Sequence, residues 1–232
     1  MASLATKSSR SIAAAGGLLF IAVASVLGFR GVHTPPAPDA PAYRQKGPAD
    51  AAAVIVAYSD FQCPACGHAV ETLKHLESLH AGDMRVIFKH RPWERNHPNA
   101  VKAAVAAECA GRQGRFWEFH DKLFASQSDW GHAEDPLAKF SAFAKAQNLK
   151  LEEFETCRAD PATLAVVRAD MKEADRRFVN STPTFFVNGV RMVGARQLGT
   201  LGLKEIEKAA AAAEPKQAPA APAPKEASGT KR

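Results

Sequence analysis

The sequence predicts an α/β fold in which a β-α-β unit is followed by a large helical insertion, a β-hairpin and a closing helix. Three observations carry that expectation. Two short apolar runs, Val54-Ile55-Val56-Ala57-Tyr58 and residues 84 to 89, flank a stretch with Val70, Leu73, Leu76 and Leu79 at helical spacing. From about residue 96 to 178 the apolar patterns are helical and no strand pattern occurs. After Pro183, two further apolar runs enclose Asn188-Gly189, the strongest short hairpin signal.

The ends of the 232-residue chain read differently from its middle. Residues 12 to 29 carry no charge and lie between Lys7 and Arg10 on one side and Arg30 on the other. As a helix they would span ~27 Å, marginal for crossing a bilayer and long for a signal-peptide core. Residues 1–30 therefore read as a signal peptide or signal anchor. We take the uncleaved anchor, with cleavage near Ala22-Val23-Ala24 as the alternative and everything after Arg30 exported. Residues 31–50, with Pro35, Pro36, Pro38, Pro41 and Pro48, suit an extended linker. Residues 213–232 are Ala, Pro and Lys, too poor in large apolar groups to fold. This leaves 51–212 as the folded domain.

Within it, residues 54 to 58 form the first predicted strand, residues 68 to 80 a helix and residues 84 to 89 a second strand, parallel to the first because a helix connects them. In the insertion, Ala100, Ala104, Val105 and Cys109 share one helical face, and Phe116, Phe119, Leu123 and Phe124 the next. Phe140, Phe143 and Ala144 follow, then Leu151 and Phe154, then Leu164, Val167, Met171, Ala174 and Phe178. Asp135-Pro136 and Asp160-Pro161 each read as an N-cap followed by proline in the first turn. The aromatic stripe around Phe116 and Trp117 reads as core. A last helix over residues 201 to 212 closes the domain.

The formal net charge is +6, but residues 51 to 213 hold 21 basic against 20 acidic side chains, so the flanks carry the excess. A nucleic-acid site would need a basic face on the domain itself. Only Lys89, Arg91 and Arg95 cluster, and they read as a solvated loop, so no nucleic-acid partner is expected.

The chemistry is written in Asp60-Phe61-Gln62-Cys63-Pro64-Ala65-Cys66-Gly67 and Asn180-Ser181-Thr182-Pro183-Thr184-Phe185-Phe186. Two cysteines two residues apart, between a strand and a helix, meet free backbone N–H groups and the positive end of the helix dipole, which favour a thiolate. That pattern points to thiol–disulfide exchange, with Cys63 exposed as the attacking sulfur and Cys66, one turn on, as its shielded partner. Pro64 fits the first helical turn, where its missing N–H costs nothing. A zinc site needs two close ligand pairs and the sequence has one, so no metal is expected. No cofactor is expected beyond the redox-active Cys63–Cys66 disulfide. His68 reads as a solvated surface residue; His90, His97 and His120 show no partner in the sequence.

These residues resemble the DsbA-like branch of the thioredoxin superfamily, exported thiol–disulfide oxidoreductases. The likeness covers roughly residues 51 to 212. It rests on Phe61-Gln62-Cys63-Pro64-Ala65-Cys66 after the first strand and on Thr182-Pro183-Thr184-Phe185 opening the third. Glu108-Cys109-Ala110 and the run from Gly114-Arg115-Phe116-Trp117 to Leu123-Phe124 look like that family's helical insertion. The resemblance implies a thioredoxin fold and a cis-proline at Pro183, with the Thr182 backbone turned to the cleft where an extended peptide could pair with it. Where strongly oxidising relatives have a histidine between the cysteines, this chain has Ala65, so a less stabilised Cys63 thiolate is expected. Some relatives carry an acidic residue six positions before the first cysteine. Here it is Ala57, which leaves proton handling for Cys66 to water or another group, with Asp60 as a candidate.

Cys109 and Cys157 remain, and in an exported chain an even cysteine count favours their pairing across the insertion. Two buried free thiols are the other arrangement. The expected activity is a dithiol oxidase of reduced, unfolded exported proteins, reoxidised by a membrane partner such as a quinone-linked oxidase. The alternatives are a membrane-tethered reductase fed by a thiol reductant carrier, for example in cytochrome maturation, and a redox-inactive peptide-binding module. The expected place is the exported side of the cytoplasmic membrane, periplasmic or extracytoplasmic, with residues 12–29 as the anchor. No dimerisation segment is evident, so a monomer is expected.

Overall fold

The computed structural model describes residues 40–213. A 3-10 turn, Ala42–Arg44, leads into β1 (Gln45–Lys46), followed by β2 (Ala53–Ser59), α1 (Pro64–Leu79) and β3 (Met84–His90). The helical insertion holds α2 (Ala100–Arg112), α3 (Phe116–Ala125), α4 (Gln127–Trp130), α5 (Leu137–Ala146), α6 (Leu151–Ala159) and α7 (Pro161–Arg176). Then come β4 (Thr184–Val187), β5 (Val190–Val193), α8 (Gly194–Gln197), a π-helical turn at Leu198–Gly202 and α9 (Leu203–Ala213). The predicted N-terminal anchor and C-terminal tail lie outside the described residues.

The strands form one sheet in the order β1-β3-β2-β4-β5. Central β2 runs parallel to β3, with Ile55 opposite Val86, and antiparallel to β4, with Ile55 opposite Val187. Helices cover both of its faces, which is why its sequence is a continuous apolar run rather than an alternating one. The β4–β5 hairpin turns at Asn188 and Gly189, both at positive φ (47° and 87°), as a tight two-residue turn demands. Among the described residues the packing forms three clusters, two of them large. One joins Phe61 and Phe88 to Phe116, Phe119, Trp130 and Phe154 of the insertion. The other joins Ile55, Leu73, Leu76, Val187 and Ile206 on the side of α1 and α9.

The fold begins earlier than the sequence suggests. Residues 40 to 50, expected to belong to a linker, contribute β1, which pairs antiparallel with the outer edge of β3 through Gln45 opposite Ile87. Tyr43 lies on α2, where Gly111 leaves room for its ring, and its hydroxyl donates to Glu108 (2.7 Å). Arg44 is buried between Glu108 and Asp170. Two strand residues are too few to leave a pattern, so only the sheet edge reveals them.

Three further differences have plain causes. Lys89 and Arg91 are not a solvated loop. Lys89 is buried at the end of β3, paired with Asp170 (3.1 Å) and Glu173 (2.8 Å), and Arg91 stacks on Trp93 and pairs with Asp175. Leu79, expected to point inward, is exposed in the last turn of α1, where Leu76 is the last buried leucine. Phe178 is exposed as well, because α7 ends at Arg176 and Phe178 takes a positive φ of 54°.

Candidate active site

Cys63 caps the N-terminus of α1 with extended backbone (φ −75°, ψ 120°), and Pro64 occupies the first turn. The Cys63 carbonyl accepts from the N–H groups of Cys66 (3.1 Å) and Gly67 (3.2 Å), which closes the turn and brings the two cysteines together. Both are free thiols, Cys63 partly exposed and Cys66 buried beneath it. Pro64 and Ala65 are exposed. From the other side comes the loop before β4: the Thr182–Pro183 peptide is cis, and the Cys63 sulfur lies 3.7 Å from the Thr182 carbonyl oxygen.

The two sulfurs differ in their protonation. A hydrogen bond from the Cys66 thiol is the largest influence on Cys63; burial opposes it, and the backbone N–H groups of Cys66 and Ala65 and the Thr182 side chain add to it. The Cys63 pKa falls from 9.0 to about 6. Burial pushes Cys66 well above the ordinary value, with the neighbouring Cys63 acting in the same sense, so Cys66 keeps its proton at neutral pH. One nucleophile and one proton reservoir therefore sit side by side.

Several residues that hold the motif left no signal in the sequence. Gln62 is buried, donating to the Gly131 carbonyl (2.6 Å) and accepting from the Asn99 N–H (2.8 Å), so it ties the dithiol loop to the insertion. Gln127 at the start of α4 donates to the carbonyls of Phe61 (2.7 Å) and Cys63 (3.0 Å), and its carbonyl end lies where a side chain on Gly67 would begin. The Trp93 indole N–H donates to the Thr182 hydroxyl (3.2 Å), linking the two loops that flank Cys63. A cleft of about 660 Å³ opens beside Cys63, lined by Trp93, Arg95, His97, Met171, Asn180 and Thr182 among others.

The histidines also find partners: His97 bonds Asp60 (2.7 Å), His90 bonds Glu108 (2.8 Å) and His120 bonds Asp121 (2.8 Å), while His68 is exposed. Asp60 does not serve Cys66 with its carboxylate. Both carboxylate oxygens are occupied, by the N–H groups of Gln62 and Trp93 and by His97, and only the Asp60 backbone N–H reaches the Cys66 sulfur (3.5 Å). Cys109 on α2 and Cys157 on α6 form a disulfide, 48 residues apart in the chain.

A family model described as thioredoxin matches residues 40–203, a range that includes the β1 arm. The chain is 37% identical over 156 residues to the Na(+)/H(+) antiporter NhaA 1 of Salinispora arenicola, a match covering 67% of this chain and 23% of that protein. It thus spans about a quarter of the length of the curated relatives it matches, and among the described residues no helix is long and apolar enough to cross a membrane. Among solved structures it is similar to alpha-DsbA1 of Wolbachia pipientis, with a TM-score of 0.65 and 22% identity over 76% of this chain and 96% of that one. It is also similar to DsbA2 of Pseudomonas aeruginosa, with a TM-score of 0.59 and 26% identity over 73% and 96%.

Proposed function

The chain belongs to the thioredoxin family, in the DsbA-like form with a helical insertion, and from that premise we propose that it is an exported thiol–disulfide oxidoreductase acting on protein clients. The observation that carries this reading is the Cys63 sulfur: free, partly exposed at a helix N-terminus, held toward the thiolate and bordered by the Thr182–Pro183 loop.

We take the direction to be oxidation of dithiols. A client thiolate attacks Cys63 of the Cys63–Cys66 disulfide, the S–S bond breaks, and Cys66 leaves and takes a proton. The client's second thiolate then attacks its own sulfur in the mixed disulfide. Cys63 departs as a thiolate, and two electrons have passed from client to enzyme. A leaving group stabilised by the helix N-terminus and by Cys66 favours that direction. The pair itself carries the electrons, and a membrane partner, such as a quinone-linked oxidase, restores the disulfide. The cleft beside Cys63 offers the Thr182 backbone to an extended client segment. The exported side of the cytoplasmic membrane is the compartment where such a cycle operates.

The second reading, a reductase fed by a thiol reductant carrier, is favoured by one observation. Ala65 adds no charge between the cysteines, and the Cys63 pKa of about 6 is closer to the reference value of about 7 for thioredoxin than to about 3.5 for DsbA. The reduction potential separates the two: a value near −120 mV is expected of an oxidant and one toward −270 mV of a reductant, on approximate reference values. Activity itself is tested by insulin reduction with the wild type and Cys63→Ser. Equal turnover by both would leave only a redox-inactive binding module.

A further inference from the structure

Each turn of the proposed cycle requires buried Cys66 to gain and then lose a proton, and the position six residues before Cys63 is Ala57. The Asp60 carboxylate is fully engaged elsewhere. Below Cys66 lies a cavity of about 20 Å³, room for one water molecule, whose polar lining comes from Ser59, Cys66 and His120 among apolar walls that include Ala57, Phe88 and Pro183. His120 comes from α3 of the insertion, whereas Ser59 ends β2, so the cavity forms only where insertion and sheet meet.

We propose that His120 is the proton acceptor and donor for Cys66, exchanging the proton across this cavity under the guidance of the Ser59 hydroxyl. The proposal rests on the oxidoreductase reading above and deepens it. The His120 ring is 4% exposed, and its Nδ1 is 2.8 Å from Asp121 Oδ1. The other oxygen of Asp121 lies 3.0 Å from Lys74 Nζ on α1. Burial works to raise the Asp121 carboxyl, yet the bonds from His120 and Lys74 outweigh it and hold the pKa at about 2. An ionised Asp121 can only accept, so Nδ1 carries the hydrogen and Nε2 is left with its lone pair. Burial lowers the His120 pKa, so in the reduced protein, with the Cys66 proton in place, the ring is neutral and its Nε2 lone pair can accept a proton. The charged groups acting on it are Asp121, Lys74 and Lys46 of β1, the last paired with Glu77; the remaining walls are the rings of Phe61, Phe88, Phe116, Trp117 and Phe124. The Ser59 side chain, which shares the cavity with Cys66, favours the Cys66 anion against the burial that dominates there.

The proton balance closes within the site. When the disulfide opens, Cys66 leaves as a thiolate and takes the proton that Nε2 has held since the disulfide last formed. When the disulfide re-forms, the Cys66 thiol returns that proton to Nε2, its sulfur attacks Cys63, and the partner's sulfur departs with the bonding pair. Between these steps the imidazolium is balanced by Asp121.

Reaction of the reduced full chain with 5,5′-dithiobis(2-nitrobenzoate) in stopped flow separates the two sulfurs. The first thionitrobenzoate released reports attack by Cys63, and the second reports attack by Cys66 on the mixed disulfide. For His120→Gln we expect the first rate to stay within twofold with its midpoint near pH 6. The second should fall about 100-fold at pH 7 and rise steadily with pH, as the loss of a general base demands. Asp121→Asn, which keeps the ring, should lower the second rate about tenfold and serves if His120→Gln does not fold. A second rate unchanged in both variants, or a joint fall of both rates with their pH profiles intact, would overturn the role of His120. A wild type whose first release is no faster than that of free cysteine would remove the functional reading, and this inference with it.

Discussion

Two side chains and a helix end decide how Cys63 behaves. The Cys66 thiol donates to it, the backbone of the first turn adds N–H groups, and Thr182 closes the far side. The thiolate absorbance at 240 nm should therefore titrate near pH 6 in the reduced protein. In Cys66→Ala the midpoint should rise by about 1–2 pH units, the worth of a hydrogen bond to a charged group. The sign for stability follows from a folded pKa below the ordinary value of 9.0. The stabilising contribution of Cys63 is complete above pH 9 and is lost as the pH falls through about 6. Urea midpoints of the reduced protein should show that slope between pH 9 and 6, and those of the oxidised protein, which has no Cys63 thiol to ionise, should not.

At the scale of elements, the insertion is both a cover and a part of the site. Helix α2 packs beside α6, and the Cys109–Cys157 bond joins them. Closing a loop of 48 residues removes chain entropy from the unfolded state worth about 4 kcal/mol. We expect the double change Cys109→Ala and Cys157→Ala to cost about 2–4 kcal/mol in urea unfolding. The 240 nm midpoint of Cys63 should stay near pH 6, because Gln62 ties the dithiol loop to Gly131 and Gln127 reaches it from α4, neither of them on the helices the bond joins. A midpoint that moved with the loss of the bond would show that the staple also shapes the dithiol loop.

Across the whole molecule, one buried set of charges joins the N-terminal arm, the sheet and the insertion. Arg44 lies between Glu108 of α2 and Asp170 of α7; Lys89 of β3 reaches Asp170 and Glu173; Tyr58 of β2 donates to Glu173 (2.6 Å). Removing Arg44 would leave two carboxylates buried with fewer partners, and Arg44→Leu should cost about 3–5 kcal/mol at pH 7. Burial works to raise Glu108 and Glu173, yet His90 and Arg44 hold the first below the ordinary carboxylate range, and Lys89 and Tyr58 the second. Their stabilisation is present above the unfolded pKa of about 4.5 and is lost as the pH falls through the lower folded values. The gap between wild type and Arg44→Leu, read from urea midpoints, should therefore narrow below pH 4.5.

The sequence by itself determined the order of the main elements and pointed to the candidate reacting groups. Both rest on short-range physics: apolar periodicity for β2, α1 and the insertion helices, the Asn188-Gly189 turn, and a cysteine pair at a strand–helix junction. The Cys63–Cys66 dithiol and the Thr182–Pro183 loop were legible together because each is a contiguous motif. Only the tertiary structure decided what crosses between elements. It drew Gln45 and Lys46 into the sheet, turned Lys89 from a surface charge into a buried ion pair and exposed Leu79 and Phe178. It also brought His120, some 50 residues along the chain from Cys66, to the same small cavity. The physical reason is that a two-residue edge strand, a buried charge or a histidine against a thiol is defined by its partner, and the partner's position exists only once the chain has folded.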